Sequence, residues 1–283
     1  MSKRIALVGT MLLCAATLVG CGGNSSGSNG VASGCKPAHT GLKTVTSGKL
    51  TTSTYNFPPF IALKGTQVGG AEGAVLSQIA SMECMSLTGL PLDTGSVVSA
   101  AQNGRADIAS GNWYCTAARA TIVNLAGPVY GDQIGIISAD GASTFDEIKG
   151  RVVGTVDGYL WNNEFQKIFG QSLKVYPTPT AMYTDLKAGR IKAAADSYGS
   201  ATYANKQNGG NWKVVIPKAD SQVAASKAPP QVCFPMPKKN EALYNAINDD
   251  IQTLRKNGKL GQLLQKNGLS ASAADAGPLK LIK

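Results

Sequence analysis

Short apolar runs alternate with helix-like periodicity along most of this chain. In residues 74–82, Val75, Ile79 and Met82 recur on one face of a helix. Apolar and β-branched runs predict strands at residues 49–55, 85–92, 106–109, 133–138, 152–156 and 214–217. This alternation predicts an α/β protein with mostly parallel sheets. Ligands bind at the carboxyl ends of the strands in such sheets, so we expect the functional residues there.

Two helices are predicted close to the C-terminus. The first covers Glu241–Lys256, because apolar residues recur there at helical spacing. Its apolar stripe consists of Leu243, Ile247, Ile251 and Leu254. Asn257 and Gly258 follow and predict a left-handed C-terminal cap. A shorter helix is predicted over Lys259–Lys266.

The first twenty residues have the pattern of an export signal. Lys3 and Arg4 precede an apolar run over residues 5–19, which is too short to span a membrane as a helix of about 20 residues. Leu18-Val19-Gly20-Cys21 then resembles the lipobox of bacterial lipoproteins, whose cysteine is acylated and becomes the first mature residue. We expect lipid on Cys21; the alternative is an ordinary secretory peptide that is cut nearby. Either interpretation places the protein outside the cytoplasm.

The segment after the signal predicts a flexible tether. Residues 21–34 are rich in glycine, serine and asparagine and have no apolar periodicity. The full chain of 283 residues has an ordinary composition for a globular protein, with 43% apolar and 16% charged residues. Its net charge is +10, but the basic residues are scattered, with no run longer than Lys238-Lys239. This distribution indicates a solvated surface rather than a nucleic-acid-binding patch.

The cysteines and the single histidine restrict the possible chemistry. Of six cysteines, Cys35, Cys84, Cys115 and Cys233 remain for disulfides, which allows three pairings in an oxidising compartment. Their spacing matches no zinc motif. His39 is the only histidine, and we expect it on the surface. We therefore expect no catalytic triad, metal or cofactor.

A series of short motifs runs from about residue 49 to residue 267. They are Phe57-Pro58-Pro59-Phe60, Gly69-Gly70-Ala71-Glu72, Gly104-Arg105-Ala106-Asp107-Ile108, Thr116-Ala117-Ala118-Arg119, Gly127-Pro128-Val129-Tyr130, Leu186-Lys187-Ala188-Gly189-Arg190-Ile191 and Lys256-Asn257-Gly258-Lys259-Leu260. In this order they resemble the bacterial extracellular solute-binding proteins of family 3, the amino-acid receptors of ABC importers. The resemblance implies a type II periplasmic-binding-protein fold, in which two α/β lobes close on the ligand.

The resemblance also implies where the lobes lie. Residues 35–130 and 222–283 would form lobe 1, and residues 131–221 lobe 2. The two hinge crossings would fall near residues 128–133 and 221–230. On this division all four remaining cysteines belong to lobe 1. We expect the pairs Cys35–Cys84 and Cys115–Cys233.

The family pattern assigns ligand contacts residue by residue. Arg119 matches the arginine that clamps the ligand carboxylate, since a guanidinium offers paired donors. Asn112 and Tyr114 occupy positions that hold the carboxylate and the amino group. Asp196 would bind the ammonium from the second lobe. It lies one residue from the expected register, at which Ser197 stands, and a slip of one residue on a strand reverses the face.

Three departures from the family pattern concern the ligand site: the first affects the carboxylate, and the other two lie near the ligand side chain. Gly158-Tyr159-Leu160-Trp161 replaces the usual Gly-Thr/Ser-Thr turn, although backbone amides at a helix start still bind anions. Thr54 replaces an acid found in receptors for basic amino acids, and Thr94 replaces an aromatic platform. Aromatic residues instead suggest a pocket reshaped for an apolar or aromatic side chain. The full set of expected ligand contacts is Phe57, Asn112, Trp113, Tyr114, Arg119, Tyr159, Leu160, Asp196 and Ser197, while Trp161 is equally compatible with core and cleft.

The resemblance implies a monomeric, lipid-anchored receptor in the periplasm or on the cell surface. It would bind a small zwitterion, such as an amino acid, and deliver it to a membrane permease with a cytoplasmic ATPase. Two alternatives stay open. An enzyme on the same scaffold, dehydratase-like or transglycosylase-like, would need a tuned acid or base, for which the chain offers Glu72, Asp107, Asp157, Glu164 and Asp196. A sensory or adhesive surface lipoprotein would have no transporter.

Overall fold

The computed structural model describes residues 34–227 and 230–283. The predicted signal, Cys21 and the tether up to residue 33 lie outside the described residues. The strands are β1 (Lys49–Thr54), β2 (Ala62–Lys64), β3 (Gln67–Gly69), β4 (Ser86–Pro91), β5 (Ile108–Ala109), β6 (Asn124–Gly131), β7 (Ile134–Ser138), β8 (Val153–Val156), β9 (Leu173–Tyr176), β10 (Ala193–Ser197), β11 (Lys213–Val215) and β12 (Gln231–Met236). The helices are α1 (Gly70–Met82), α2 (Thr94–Gln102), α3 (Ala117–Ile122), α4 (Asn162–Phe169), α5 (Pro179–Lys187), α6 (Tyr198–Gln207), α7 (Glu241–Lys256) and α8 (Lys259–Lys266).

The first half of the chain forms a parallel sheet in the order β4-β1-β5. Helices α1 and α2 pack on this sheet, and the C-terminal helices α7 and α8 pack on α1. The apolar stripes predicted for these helices are buried, as Ile79 in α1 and Ile251 in α7 show. Gly258 has φ = 72°, which confirms the left-handed cap between α7 and α8.

The middle of the chain forms a second sheet in the order β11-β7-β10-β8-β9. Its strands lie within residues 134–215, and helices α4, α5 and α6 pack on them. The two α/β units confirm the expected two-lobed fold. The first sheet is parallel, as predicted, whereas the second is mixed, because β7 pairs with β10 and β11 in antiparallel orientation.

Two long strands carry the chain between the sheets. β6 leads out of the first unit, β12 leads back, and the two pair in antiparallel orientation. The apolar pattern did not mark these strands, because Gly127, Pro128 and Pro235 are unfavourable in strands. β10 was missed too, since its run of alanines has low strand propensity.

Helix α1 begins at Gly70, four residues before the predicted start. Its first amides bond to the preceding loop, where Ala71 N donates to Pro59 O at 2.9 Å and Glu72 N to Phe60 O at 2.9 Å. These bonds satisfy helix-start donors that lack partners within a helix. They also place Glu72 in the protein interior, where it is fully buried.

Both predicted disulfides are present. Cys35–Cys84 ties the segment before β1 to the end of α1, and Cys115–Cys233 ties the loop before α3 to β12. Among residues 34–227 and 230–283, no helix combines the length and apolar character required to cross a membrane.

The Cys115–Cys233 bridge should contribute strongly to stability, because it closes a loop with a sequence separation of 118 residues. We expect Cys115→Ser/Cys233→Ser to lower the free energy of unfolding by about 2–5 kcal/mol in urea titrations. The Cys35→Ser/Cys84→Ser variant, with a separation of 49, should lose less. Non-reducing peptide mapping that joins Cys35 to Cys115, or finds four free thiols, would contradict this pairing.

Candidate functional site

A small cavity lies between the two sheets, at the carboxyl ends of strands from both. Its walls come from the segments after β1, β5 and β8 and from the end of β10, as expected for an α/β protein. The lining residues are Tyr55, Phe57, Gly111, Asn112, Trp113, Tyr114, Arg119, Gly158, Tyr159, Leu160, Trp161, Asp196 and Ser197. The structure therefore brings together all nine residues that the family pattern singled out. Tyr55, Gly111 and Gly158 were not among them, although Tyr55 directly follows β1.

Arg119 is held on one wall of the cavity by α3. Thr116 caps this helix, with its hydroxyl accepting from Arg119 N at 3.1 Å. The guanidinium donates through Nη1 to Tyr114 O at 2.9 Å and through Nη2 to Gly158 O at 3.4 Å, and it lies 4.9 Å from the ring centroid of Trp113. Burial lowers the pKa of Arg119 to about 10, so the group remains charged at neutral pH. None of the ion pairs among the described residues includes it.

Asp196 lies on the wall formed by the second sheet, at the end of β10. Its Oδ1 accepts from Tyr159 Oη at 2.9 Å and from Ser197 N at 2.7 Å. Its Oδ2 accepts from Tyr183 Oη at 2.5 Å. Burial raises the pKa of Asp196 to about 7, and these hydrogen bonds offset only part of that effect. No lysine or arginine pairs with this carboxyl in the described part of the chain.

The register question between Asp196 and Ser197 has a structural answer. Both residues line the cavity, because β10 ends at Ser197 and α6 begins at Tyr198, so strand alternation stops there. The buried Ser197 hydroxyl makes no hydrogen bond within residues 34–227 and 230–283. Asp196 holds the charge, and Ser197 adds a free hydroxyl beside it.

Glu72 shapes the loop that leads to Arg119. Its Oε2 accepts from Gly111 N at 2.7 Å, and its Oε1 accepts from Asn112 N and from Tyr130 Oη, both at 2.6 Å. The loop needs this support because Gly111 and Asn112 both have positive φ, at 132° and 61°. A Cβ on Gly111 would come within 2.5 Å of the ring of Tyr55. Glu72 does not line the cavity and acts on the loop backbone.

Asp132 is a half-buried acid that sequence reasoning missed. It follows β6 in the first crossing, and its Oδ2 accepts from Asn112 Nδ2 at 2.5 Å and Tyr114 Oη at 3.3 Å. Burial raises its pKa. The backbone amide of Asp132 donates to Pro230 O at 2.8 Å, which joins the two crossings. The one feature of the sequence that could have indicated Asp132 is its position as a charged residue within the first crossing segment.

Aromatic rings form most of the remaining wall. Tyr55 stacks on Phe57 with centroids 5.3 Å apart, and Tyr159 meets Trp161 edge to face at 5.1 Å. Phe57 lies 6.1 Å from Tyr159 across the two units. Trp161 therefore belongs to the cleft. Thr54 and Thr94, which replace family residues, are buried but do not line the cavity.

The cavity is nearly closed. Its volume is about 20 Å³, which accommodates about one water molecule and no amino acid. The two units touch directly around it, since Thr94 Oγ1 donates to Pro177 O at 3.4 Å and Ser200 Oγ to Pro58 O at 3.1 Å. A ligand of amino-acid size requires the walls to move apart.

Comparisons with known proteins agree with this architecture. The family model of the bacterial extracellular solute-binding proteins, family 3, matches residues 50–270. Similar solved structures include a Streptococcus pneumoniae amino-acid ABC transporter substrate-binding protein bound to L-arginine, at 22% identity and TM-score 0.70, covering 80% of this chain and 96% of that one. An ancestral arginine-binding protein bound to arginine matches at 21% identity and TM-score 0.69, with coverages of 77% and 97%. A comparison with curated protein sequences gives no match.

The raised pKa of Asp196 predicts a pH-dependent stability difference. A carboxyl whose pKa is higher in the folded than in the unfolded state destabilises the fold as the pH rises from the unfolded to the folded pKa. For Asp196 the free energy of unfolding should therefore fall between about pH 4 and pH 7. We expect ligand-free Asp196→Asn to gain stability relative to the unmodified chain by up to about 4 kcal/mol across that range. Urea titrations between pH 4 and 8 measure this difference. For the exposed control Asp146→Asn, the difference in free energy of unfolding from the unmodified chain should not change with pH. If the difference for Asp196→Asn is equally independent of pH, the raised pKa of Asp196 is wrong.

Proposed function

This chain belongs to the bacterial extracellular solute-binding proteins of family 3, and from that premise we propose that it is an ABC-importer receptor for a zwitterionic amino acid. The observation that supports this most strongly is the pair of opposite charges in the cavity. Asp196 is buried and Arg119 is half-buried, and neither has an ionic partner in the described part of the chain. A buried charge without a partner is costly, so both groups favour a ligand that supplies the opposite charge.

The ligand carboxylate would bind Arg119 and the neighbouring Trp113. The guanidinium fork matches a carboxylate, and the indole Nε1 of Trp113 is a buried donor without a hydrogen bond among the described residues. The ligand ammonium would bind the Asp196 carboxylate after that group loses its proton. Tyr159 and Tyr183 already orient the Asp196 oxygens through their hydroxyls.

Ligand binding would be coupled to closure of the two lobes. We place lobe 1 at residues 35–130 and 222–283 and lobe 2 at residues 131–221, a division supported by the separate sheets and the β6–β12 crossing. Arg119 and Asp196 then belong to different lobes. A ligand that contacts both gains its full binding energy only in the closed state, which shifts the population towards it.

The remaining wall favours a neutral side chain, apolar or aromatic. Tyr55, Phe57 and Trp161 present ring surfaces, and Asp196 is the only acid among the residues that line the cavity. The Streptococcus pneumoniae relative was solved with L-arginine, but the extra acid expected for a basic ligand is replaced here by Thr54. We propose that the ligand is released to a membrane permease, that the protein acts as a monomer, and that lipid on Cys21 anchors it outside the cytoplasm.

Ligand derivatives test this function directly. A thermal-shift screen of the L-amino acids identifies the most stabilising one, which is then compared with its N-acetyl and its amide derivatives. We expect both derivatives to lose most of the stabilisation, because each removes one charge of the zwitterion. If no amino acid stabilises the protein, or if either derivative stabilises it as well as the parent compound, the proposed ligand class is wrong.

One observation also favours an enzyme on this scaffold. A carboxyl with a pKa of about 7 in a closed cavity is suited to general acid or base catalysis, and Asp196 has both properties. The receptor function predicts that a bound amino acid is recovered unchanged after prolonged incubation. Chromatographic detection of a converted product that disappears in Asp196→Asn would support the enzyme instead.

Arg119 should dominate ligand affinity. Arg119→Ala should weaken binding of the best amino acid by about 2–5 kcal/mol, because the ligand carboxylate would be left buried without a partner. Arg119→Lys should recover only part of this loss, since the paired donors are missing. Isothermal titration calorimetry measures both, with the exposed Arg105→Ala as a control that keeps full affinity. Equal affinity of Arg119→Ala and Arg105→Ala would rule out the clamp.

The proposed anchor can be tested at Cys21. Cys21→Ser should move the protein from the membrane fraction to the soluble fraction, because no acyl chain can be attached. Cys14→Ser, which changes a cysteine within the signal, should leave the fractionation unchanged. Identical fractionation of Cys21→Ser and the unmodified protein would show that Cys21 does not anchor it.

A further inference from the structure

A second group of polar side chains lies in the first α/β unit and shares no residue with the cavity. We call it the His39 cluster, and it consists of His39, Glu83, Asp249 and Asp250. His39 lies in the segment before β1, Glu83 caps the C-terminus of α1, and the two aspartates lie next to each other in α7. The expected exposed histidine is therefore a contact between three separate parts of the chain.

The cluster places nitrogen and oxygen donors close together. His39 Nδ1 lies 2.6 Å from Glu83 Oε1, and His39 N donates to Glu83 Oε2 at 3.0 Å. His39 Nε2 lies 3.6 Å from Asp249 Oδ2. One donor atom from each of His39, Glu83 and Asp250 lies within 4.8 Å of the others. Small side-chain rotations would let all three contact one ion.

The acids of this cluster have no lysine or arginine partner among the described residues. Glu83 is 4% exposed and Asp250 is 1% exposed. The Oδ2 atom of Asp250 is buried and has no hydrogen bond in that same part of the chain. Three carboxylates around one imidazole leave a net negative charge even when His39 is protonated.

We propose that His39, Glu83 and Asp250 bind a divalent transition-metal ion, with Asp249 at the rim of the site. The donor set of one imidazole nitrogen and carboxylate oxygens suits Zn²⁺ better than Ca²⁺ or Mg²⁺, which prefer oxygen ligands alone. The metal takes the place of the proton between His39 and Glu83, and the orphaned Asp250 oxygen becomes a ligand.

The site would fasten the end of the tether to the body of the protein. His39 follows Cys35, whose disulfide to Cys84 already joins the same segment to the end of α1. The metal adds α7 to this junction through Asp250. It connects the segment that follows the tether with two helices of the first unit, away from the cavity.

Isothermal titration of the tag-free chain with zinc chloride tests the proposal, with manganese, calcium and magnesium chloride as comparisons. We expect one zinc ion per chain, bound more tightly than calcium or magnesium. His39→Gln and Asp250→Asn should each weaken zinc binding by at least about 10–100-fold. The exposed Asp146→Asn serves as the matched control and should bind zinc like the unmodified chain. Absence of zinc binding, or equal zinc affinity in His39→Gln, would overturn the proposal.

Thermal unfolding gives a second readout, which separates a metal from a proton. Zinc should raise the midpoint of the unmodified chain and of Asp146→Asn over its value in EDTA, but not that of His39→Gln. The competing way to neutralise the cluster is a proton on Asp250, because burial and the neighbouring Glu83 carboxyl raise the pKa of that group. In that case Asp250→Asn would stabilise the protein equally in zinc and in EDTA, and the metal site would be wrong.

Discussion

The arrangement on which this structure depends is a half-buried cation and a buried acid that line the same cavity, with neither paired to the other. Among residues 34–227 and 230–283, the guanidinium of Arg119 contacts two backbone carbonyl groups and the ring of Trp113 and no carboxylate. Asp196 accepts hydrogen bonds from two tyrosine hydroxyls and one backbone amide. These bonds offset only part of the rise in pKa that burial causes. A small zwitterion satisfies both groups at once, whereas an anion or a cation alone satisfies only one.

Much of the surrounding fold keeps these two groups in place. The Cys115–Cys233 bridge and the Thr116 cap hold the start of α3. Glu72 holds the preceding loop by accepting a hydrogen bond from the amide of Gly111. Asp132 connects the same loop to the crossing strands through Asn112. These contacts connect the crossing strands, the loop and the arginine.

The sequence predicted the residues around the cavity better than it predicted strands β6 and β12. Residues 111–119 and 158–161 form local motifs whose backbone places side chains at strand ends, and each expected member lines the cavity. Strands β6 and β12 were missed because glycine and proline are unfavourable in strands. The strands form nevertheless, because they pair with each other over a long distance in sequence. Asp132 and the His39 cluster were missed because their significance arises from contacts between distant segments, as with Glu83 and Asp250. No local pattern carries that information.

The pH dependence of ligand affinity tests the central claim most directly. If an amino-acid ammonium pairs with Asp196, this carboxyl must lose its proton on binding, because burial has raised its pKa to about 7. Calorimetry with the most stabilising amino acid between pH 5 and 8.5 should show affinity falling by up to tenfold per unit below about pH 7, with proton release in that range. Affinity that stays constant from pH 5 to 8.5, with no proton released, would contradict the pairing of Asp196 with the ligand.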